Sequence, residues 1–130
     1  MSRIFLSHSS QDKPFVEPIA DLLGKYNCVY DKYTFEIGMQ TMEEILSNMV
    51  ESDIFVYFIS DAALKSKWVE SELNNAHKLI GTLSNKLAQI FPIIIDPSIS
   101  HADDRIAPFL REGYNLQRVE NYKLAYRKIV

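Results

Sequence analysis

The sequence predicts an α/β fold in which a five-stranded parallel sheet lies between two layers of helices. Two segments, IFVYFI at 54–59 and IFPIII at 90–95, are apolar without alternation, which is typical of strands covered on both faces. Segments with the period of amphipathic helices separate these strands from shorter apolar runs. Strands and helices that alternate along a chain favour a parallel sheet, because each crossover between parallel strands carries a helix.

The first part of the chain predicts two short strands with a helix between them. Residues 3–6 form an apolar run that leads into polar residues, and 28–30 form a second such run. Between them, 12–23 is predicted to be a helix that ends at Gly24 and that Pro18 is expected to kink. The spacing of apolar residues predicts that its inward positions are Phe15, Ile19, Leu22 and Leu23.

A capping pattern begins the next helix, after a long loop at 32–40. Thr41 precedes Glu44 by three residues, as in the capping box. In that motif the side chain of each residue accepts a hydrogen bond from the backbone N–H of the other. This helix leads into the strand at 54–59. Its buried stripe is predicted to be Met42, Ile45, Leu46, Met49 and Val50.

The second half of the chain continues the alternation. Ser66 caps a helix that ends at Gly81, and Pro92 places the strand at 90–95 near a sheet edge at that point, because proline cannot donate a ladder hydrogen bond. The inward positions of the Ser66 helix are predicted to be Val69, Leu73, Ala76 and Ile80. The last elements are predicted to be a loop at 96–105, a short helix at 106–110, a marginal strand at 114–116, and a final helix at 121–130 with Tyr122, Ala125, Tyr126 and Ile129 inward.

Five strands of this kind favour a flavodoxin-like three-layer fold with the strand order 2-1-3-4-5. Ligands of such sheets bind beyond the carboxyl ends of the strands, near the point between the first and third strands where the order reverses. We therefore expect functional residues in the loops at 7–12, 31–40 and 60–66 and at the helix start that follows the last of them.

The composition is that of one ordinary globular domain. Of 130 residues, 47% are hydrophobic and 24% are charged, and the apolar runs fall far short of the ~20 residues that span a bilayer. Lys and Arg total 14 against 17 Asp and Glu, so the net charge is −3 and no basic face for nucleic acid is indicated. The lone Cys28 and the lack of a signal-peptide pattern favour a reducing, cytoplasmic location.

Several common chemistries lack their motifs. The four glycines are too dispersed for a nucleotide-binding glycine loop. The three histidines lie far apart with no cysteine or carboxylate at zinc spacing, and no G-x-S-x-G elbow is present, so neither a metal site nor a serine hydrolase is predicted. A phosphoacceptor receiver domain needs clustered carboxylates after the first strand, where this chain reads SHSS, and Asp53 precedes the third strand instead of ending it.

Five segments, in order, resemble a TIR domain of bacterial type. They are IFLSHSSQDKPFVEPIADLL, the loop YDKYTFEIGMQTMEEI, the strand and turn SDIFVYFISDAAL, the helix start SKWVESEL, and IFPIIID. The most specific feature is Trp68 with Glu72 four residues later, one helical turn apart. We therefore expect a single TIR-like domain at 1–130. Its final helix runs to Val130 without a stop residue, which leaves room for a fused or partner domain beyond it.

The resemblance implies a self-associating domain that, as in many bacterial members, cleaves NAD+ into nicotinamide and ADP-ribose or a cyclic ADP-ribose. NAD+ is then the substrate, Glu72 is the catalytic residue, and no cofactor or metal is implied. A role in antiphage defence is implied by resemblance alone. The substrate-binding residues that we expect are Trp68, His8, Ser9, Asp31, Tyr33 and Phe35. The residues expected in an assembly loop are Phe35, Glu36, Ile37 and Gly38.

One carboxylate is enough for this reaction. Hydrolysis of an O-glycoside generally needs two, because the leaving oxygen must be protonated. Nicotinamide leaves NAD+ as a neutral amine, so a single carboxylate can stabilise the developing cation while an aromatic surface stacks on the nicotinamide. Three departures from the family pattern, at His8, Ile37 and Val69, leave the glutamate in place but bear on substrate pose and product.

Other readings of these residues stay open. Glu72 is also interpretable as a solvated helix residue like Glu70, Trp68 as a packing residue, and Ser9 as a loop residue near the cap of the first helix. The whole domain is also interpretable as a non-enzymatic module that binds other TIR domains. A third hypothesis is a nucleoside-processing enzyme on a related fold.

Overall fold

The computed structural model describes residues 3–30, 42–82 and 86–130 of the chain. The strands are β1 Ile4–Ser7, β2 Cys28–Val29, β3 Ile54–Ile59, β4 Gln89–Ile94 and β5 Gln117–Arg118. The helices are α1 Lys13–Leu23, α2 Met42–Val50, α3 Asp61–Lys65, α4 Lys67–Ile80, α5 Pro108–Gly113 and α6 Tyr122–Ile129, with a short 3-10 turn at Ser10–Asp12 before α1.

The five strands form one parallel sheet in the order β2-β1-β3-β4-β5, which confirms the predicted fold class and strand order. Strand β1 pairs with β2 on one side and with β3 on the other. Strand β5 pairs only with Ile93 and Ile94, so Pro92 lies outside that pairing, as expected for a residue that cannot donate to a ladder. Because all strands run in one direction, their carboxyl ends meet at one edge.

Each face of the sheet has its own core. On one face, β1 contributes Phe5, which belongs to a cluster with residues of α2, α4 and α5. On the other face, β1 contributes Ile4 and Leu6, which belong to a cluster with residues of α1 and α6. Successive side chains of a strand point to opposite faces, so this alternation directs the next residue, Ser7, toward the face that α4 covers.

Helix α1 buries a different stripe from the one predicted. Leu22 is 52% exposed and Phe15 is half-buried, so the prediction of Leu22 as a core residue is wrong. The buried residues are Val16, Ile19, Ala20 and Leu23. Their spacing follows the i, i+3, i+4, i+7 rule, whereas Leu22 lies off this line. The predicted end of the helix is confirmed, because Gly24 follows its last residue with a φ of 90° that favours glycine. Pro18 lies inside the helix, and the kink expected there stays a prediction.

Three elements near the carboxyl edge differ from their predicted bounds. The predicted loop at 60–66 contains α3, because Ser60 Oγ accepts a hydrogen bond from the backbone N–H of Ala63 and caps a helical turn. Helix α5 begins at Pro108 and runs to Gly113, which displaces the last strand from the predicted 114–116 to Gln117–Arg118.

Other helix predictions agree with the structure. Ser66 caps α4 by accepting a hydrogen bond from the N–H of Val69, and Gly81 follows its last residue. Ile45 and Met49 are buried on α2, while Thr41 of the expected capping box lies outside the described residues. None of the helices in the described ranges combines the length and the apolar character that a bilayer crossing requires.

We expect Ile19→Ala to lower the free energy of unfolding by about 2–5 kcal/mol, because Ile19 is fully buried and its loss leaves a cavity. Leu22→Ala is the matched control on the same helix, and its effect should stay within about 0.5 kcal/mol. Urea unfolding of both variants measures the difference. Equal losses would contradict the placement of the α1 stripe.

Candidate functional site

A cleft of about 220 Å³ opens at the carboxyl end of β1, between the loop that follows this strand and the start of α4. Its floor is apolar and includes Phe5, Leu6 and Val29. The polar and aromatic residues that line it are His8, Ser9, Ser10, Ser66, Trp68 and Glu72. The sequence placed a ligand site at this edge of the sheet, and four of the predicted site residues line one cleft: Glu72, Trp68, His8 and Ser9.

Glu72 is the most unusual residue of the cleft because its carboxylate is buried. It is 6% exposed, whereas Glu70 on the same helix is exposed. The hydroxyl of Ser7 donates a hydrogen bond to Glu72 Oε1 at 2.8 Å. The interpretation of Glu72 as a solvated helix residue is therefore wrong, since a carboxylate loses free energy on burial and needs such partners.

Trp68 lies one turn before Glu72 on α4, in the helix's first turn. It is 41% exposed and lines the cleft, so much of its indole is accessible from solvent. A residue that only packed the core would be buried, as Val69 beside it is. The four-residue spacing noted in the sequence thus brings an aromatic surface and a carboxylate to the same cleft.

The loop after β1 forms the opposite rim. His8 Nδ1 lies 2.8 Å from the carbonyl oxygen of Ser9, and because a carbonyl only accepts, Nδ1 carries the proton in this contact. The His8 ring also lies against Tyr30, with centroids 5.2 Å apart. Ser9 Oγ accepts a hydrogen bond from the N–H of Gln11 and so caps the 3-10 turn before α1. Ser9 therefore both caps this turn and lines the cleft.

Six predicted residues lie outside the described part of the chain. They are the expected substrate contacts Asp31, Tyr33 and Phe35 and the assembly-loop residues Glu36, Ile37 and Gly38, of which Phe35 was assigned to both groups.

The structure adds contacts that sequence reasoning missed. Ser60 Oγ donates a hydrogen bond to Asp12 Oδ2 at 2.5 Å and ties the start of α1 to the end of β3. Burial raises the pKa of Asp12 above its usual value, with the Ser60 bond acting in the opposite direction. Asp96, just after β4, accepts from the N–H of Asp61 and from Ser98, and these bonds lower its pKa. The sequence carried a signal for two of these residues, because Ser60 directly follows β3 and Asp96 comes two positions after β4.

Ser7 was also missed as a partner of Glu72. The sequence assigned Ser7 to the loop at 7–12, which is wrong, because the structure makes it the last residue of β1. As for metals, the described ranges contain no group of three or more His, Cys, Asp or Glu residues arranged to hold an ion.

The sequence profile of the TIR domain family matches residues 4–127. The chain belongs to the TIR domain family. This match runs from the first residue of β1 into α6, so the family resemblance of the sequence segments is confirmed over nearly the whole fold.

Two curated bacterial proteins are similar in sequence to this TIR domain. The 2' cyclic ADP-D-ribose synthase AbTIR of Acinetobacter baumannii (strain 1295743) is 28% identical over 114 residues, which cover 80% of this chain and 41% of that protein. The 2' cyclic ADP-D-ribose synthase BtTIR of Bacteroides thetaiotaomicron is 27% identical over 106 residues, which cover 74% and 37%. The chain thus spans about two fifths of the length of these curated relatives.

Solved structures share the fold. The TIR domain of the Toll-related receptor TRR-2 from Hydra magnipapillata superposes with a TM-score of 0.63 at 18% identity, covering 90% of this chain and 84% of that one. The CMP N-glycosidase BcmB of Clostridium botulinum superposes with a TM-score of 0.60 at 17% identity, covering 98% and 96%. At these identities the likeness concerns the fold alone.

We expect Asp12→Asn to gain stability relative to the wild type as the pH rises. The pKa of Asp12 is raised from 3.8 in the folded TIR domain. Between pH 3.8 and that raised pKa, the folded protein therefore holds a proton that the unfolded chain has released. The stability that this proton contributes is fully present below about pH 3.8 and is lost as the pH rises through the raised pKa. The free energy of unfolding, measured for both proteins from acidic to neutral pH, gives the difference.

Asp96→Asn is the matched control, and its difference should have the opposite sign. The pKa of Asp96 is lowered, so its contribution is present above pH 3.8 and is lost as the pH falls through the lowered pKa. If the two differences changed in the same direction with pH, the assignment of opposite environments to these carboxyl groups would be wrong.

Proposed function

We propose that this TIR domain cleaves the bond between nicotinamide and ribose in NAD+, with Glu72 as the catalytic residue. The observation that carries the proposal is the buried Glu72 carboxylate, which lies in the same cleft as the exposed face of Trp68. The names of the two curated relatives support the substrate. Cyclic ADP-ribose is the ADP-ribose part of NAD+ closed on itself after nicotinamide has left, so NAD+ is its direct chemical source.

The proposed step needs one carboxylate and no general acid. When the bond between C1 of the ribose and the nicotinamide nitrogen breaks, its electron pair moves to the nitrogen and neutralises the pyridinium charge. Positive charge then develops on C1 and the ring oxygen, where the fixed negative charge of Glu72 stabilises it. Oxygen from water or from a hydroxyl of the same molecule bonds to C1, and the proton of that nucleophile passes to solvent.

The size of the cleft supports a pose in which the cleft residues bind only the nicotinamide end of NAD+. Sites for drug-sized ligands usually enclose about 300–1,000 Å³, more than the 220 Å³ found here. In the proposal, nicotinamide stacks on Trp68 with His8 and Ser9 at the opposite rim. The proposal keeps Asp31, Tyr33 and Phe35 as further substrate-binding residues on the strength of the sequence resemblance.

The proposal includes self-association as the activating event. In it, the segment formed by Phe35, Glu36, Ile37 and Gly38 contacts a second TIR domain and helps to complete the site. A cytoplasmic location and a role in antiphage defence belong to the same proposal. They rest on the sequence resemblance.

We expect Glu72→Gln to lower the rate of nicotinamide release by at least about 10²-fold, because the amide keeps the shape of the side chain but loses the charge that stabilises the cation. Glu70→Gln is the matched control on the exposed part of the same helix, and it should keep the wild-type rate. Chromatography with mass detection, at low and high protein concentration, measures nicotinamide and identifies the other product.

Each outcome of this assay has a clear meaning. A rate that rises faster than linearly with protein concentration supports activation by self-association. Release that persists in Glu72→Gln would remove Glu72 from the catalytic role. If the wild type left NAD+ intact even when artificially clustered, a non-enzymatic TIR interaction module would be the better account.

We expect Trp68→Ala to raise KM for NAD+ roughly 2- to 12-fold, because aromatic stacking contributes about 0.5–1.5 kcal/mol. Trp68→Phe keeps an aromatic face and should stay close to the wild type. Steady-state kinetics measures KM for NAD+ in both variants and in the wild type. Equal KM values for the alanine variant and the wild type would contradict the stacking role.

A further inference from the structure

We infer that Ser7 is a positioning residue that holds the carboxylate of Glu72 in its reactive orientation. The inference rests on the proposed function and adds a residue to it. Ser7 Oγ donates to Glu72 Oε1 at 2.8 Å across 65 positions of the sequence. Ser7 is fully buried, so it acts on substrate only through Glu72.

The backbone of Ser7 is held in place by the sheet. Ser7 is the last residue of β1 and lies opposite Tyr57 in the register with β3. Strand β1 pairs with β3 over its whole length, Ser7 included, and with β2 at Ile4 and Phe5, so the backbone that carries Ser7 has little freedom. A hydroxyl mounted on such a strand is a fixed reference point for a side chain that comes from another element.

The Glu72 side chain, in contrast, has several rotatable bonds between its helical backbone and its carboxylate. It lies in the second turn of α4, whose cap is Ser66. The favourable effect of a helix N-terminus on a negative charge falls off within the first turn, so the helix dipole contributes little at this position. Hydrogen-bond partners must therefore stabilise the negative charge of the Glu72 carboxylate and hold its orientation. Ser7 is one of these partners.

The apolar pattern of β1 does not explain why a hydroxyl stands at position 7. Phe5, on the same face of β1, packs in the apolar cluster that α4 covers. An apolar residue at position 7 would continue this face without the free-energy cost of a buried hydroxyl. The hydrogen bond to Glu72 offsets that cost, and because its acceptor is a carboxylate, it is stronger than a neutral one.

Steady-state nicotinamide release by Ser7→Ala, Ser7→Cys and Ser52→Ala tests the inference. Ser52 is the matched control, because it is equally buried and its hydroxyl donates to the carbonyl of Asn48 at 2.9 Å, before the amino end of β3. Circular dichroism and melting temperatures identify the variants that fold. Each alanine variant loses one buried hydrogen bond, so a loss of stability alone affects both.

We expect Ser7→Ala to lower kcat about 10- to 100-fold, as loss of a positioning partner commonly does. KM should change by less than about twofold, because ground-state binding is largely retained. A thiol is a weak donor, so Ser7→Cys should fall between the wild type and Ser7→Ala in kcat. Ser52→Ala should match the wild type in both constants.

If Ser7→Ala does not fold, Ser7→Cys carries the test, with a reduced kcat at unchanged KM as the expected result. A Ser7 variant with the kcat of Ser52→Ala overturns the positioning role and leaves the proposed function intact. A cysteine variant slower than the alanine variant also overturns it, because a purely steric role would produce that order. A wild type that releases no nicotinamide overturns the proposed function and, with it, the inference.

Discussion

The pairing of β1 on both sides is the constraint on which the rest of the structure depends. It places this short strand in the interior of a parallel sheet, with Phe5 directed to one core and Leu6 to the other. The strand therefore ends at the edge where all carboxyl ends meet, beside the start of α4. The apolar floor of the cleft and the rim formed by the loop after β1 follow from this placement.

A buried carboxylate at this edge is a local cost that the fold tolerates. An ionised carboxylate taken out of water loses several kcal/mol of hydration free energy, on the order of what a small domain can spare. The bond from Ser7 lowers that cost. Natural proteins accept such costs mainly at functional sites. Burial distinguishes Glu72 from the exposed Glu70 and so supports the role proposed for Glu72.

Polar contacts at the carboxyl edge also tie the layers together. Ser60 Oγ accepts a hydrogen bond from the N–H of Ala63 and donates one to Asp12, so one hydroxyl joins the end of β3 to the starts of α3 and α1. Asp96 joins the end of β4 to the start of α3 through the N–H of Asp61. These bonds hold the loops next to the cleft, but the residues that make them do not line it. The residues that support the site are therefore different from those that line it.

The sequence by itself determined the order and type of the main elements and the pairing of Trp68 with Glu72, because hydrophobic periods and helical spacing are local properties. The sequence failed to predict that Leu22 is exposed and where the last strand lies. In both cases the local pattern allows more than one solution, and packing against other elements decides between them. Only the tertiary structure decided that Glu72 is buried and that Ser7 is its partner. A contact across 65 positions depends on how strand and helix dock, and no local pattern encodes that geometry.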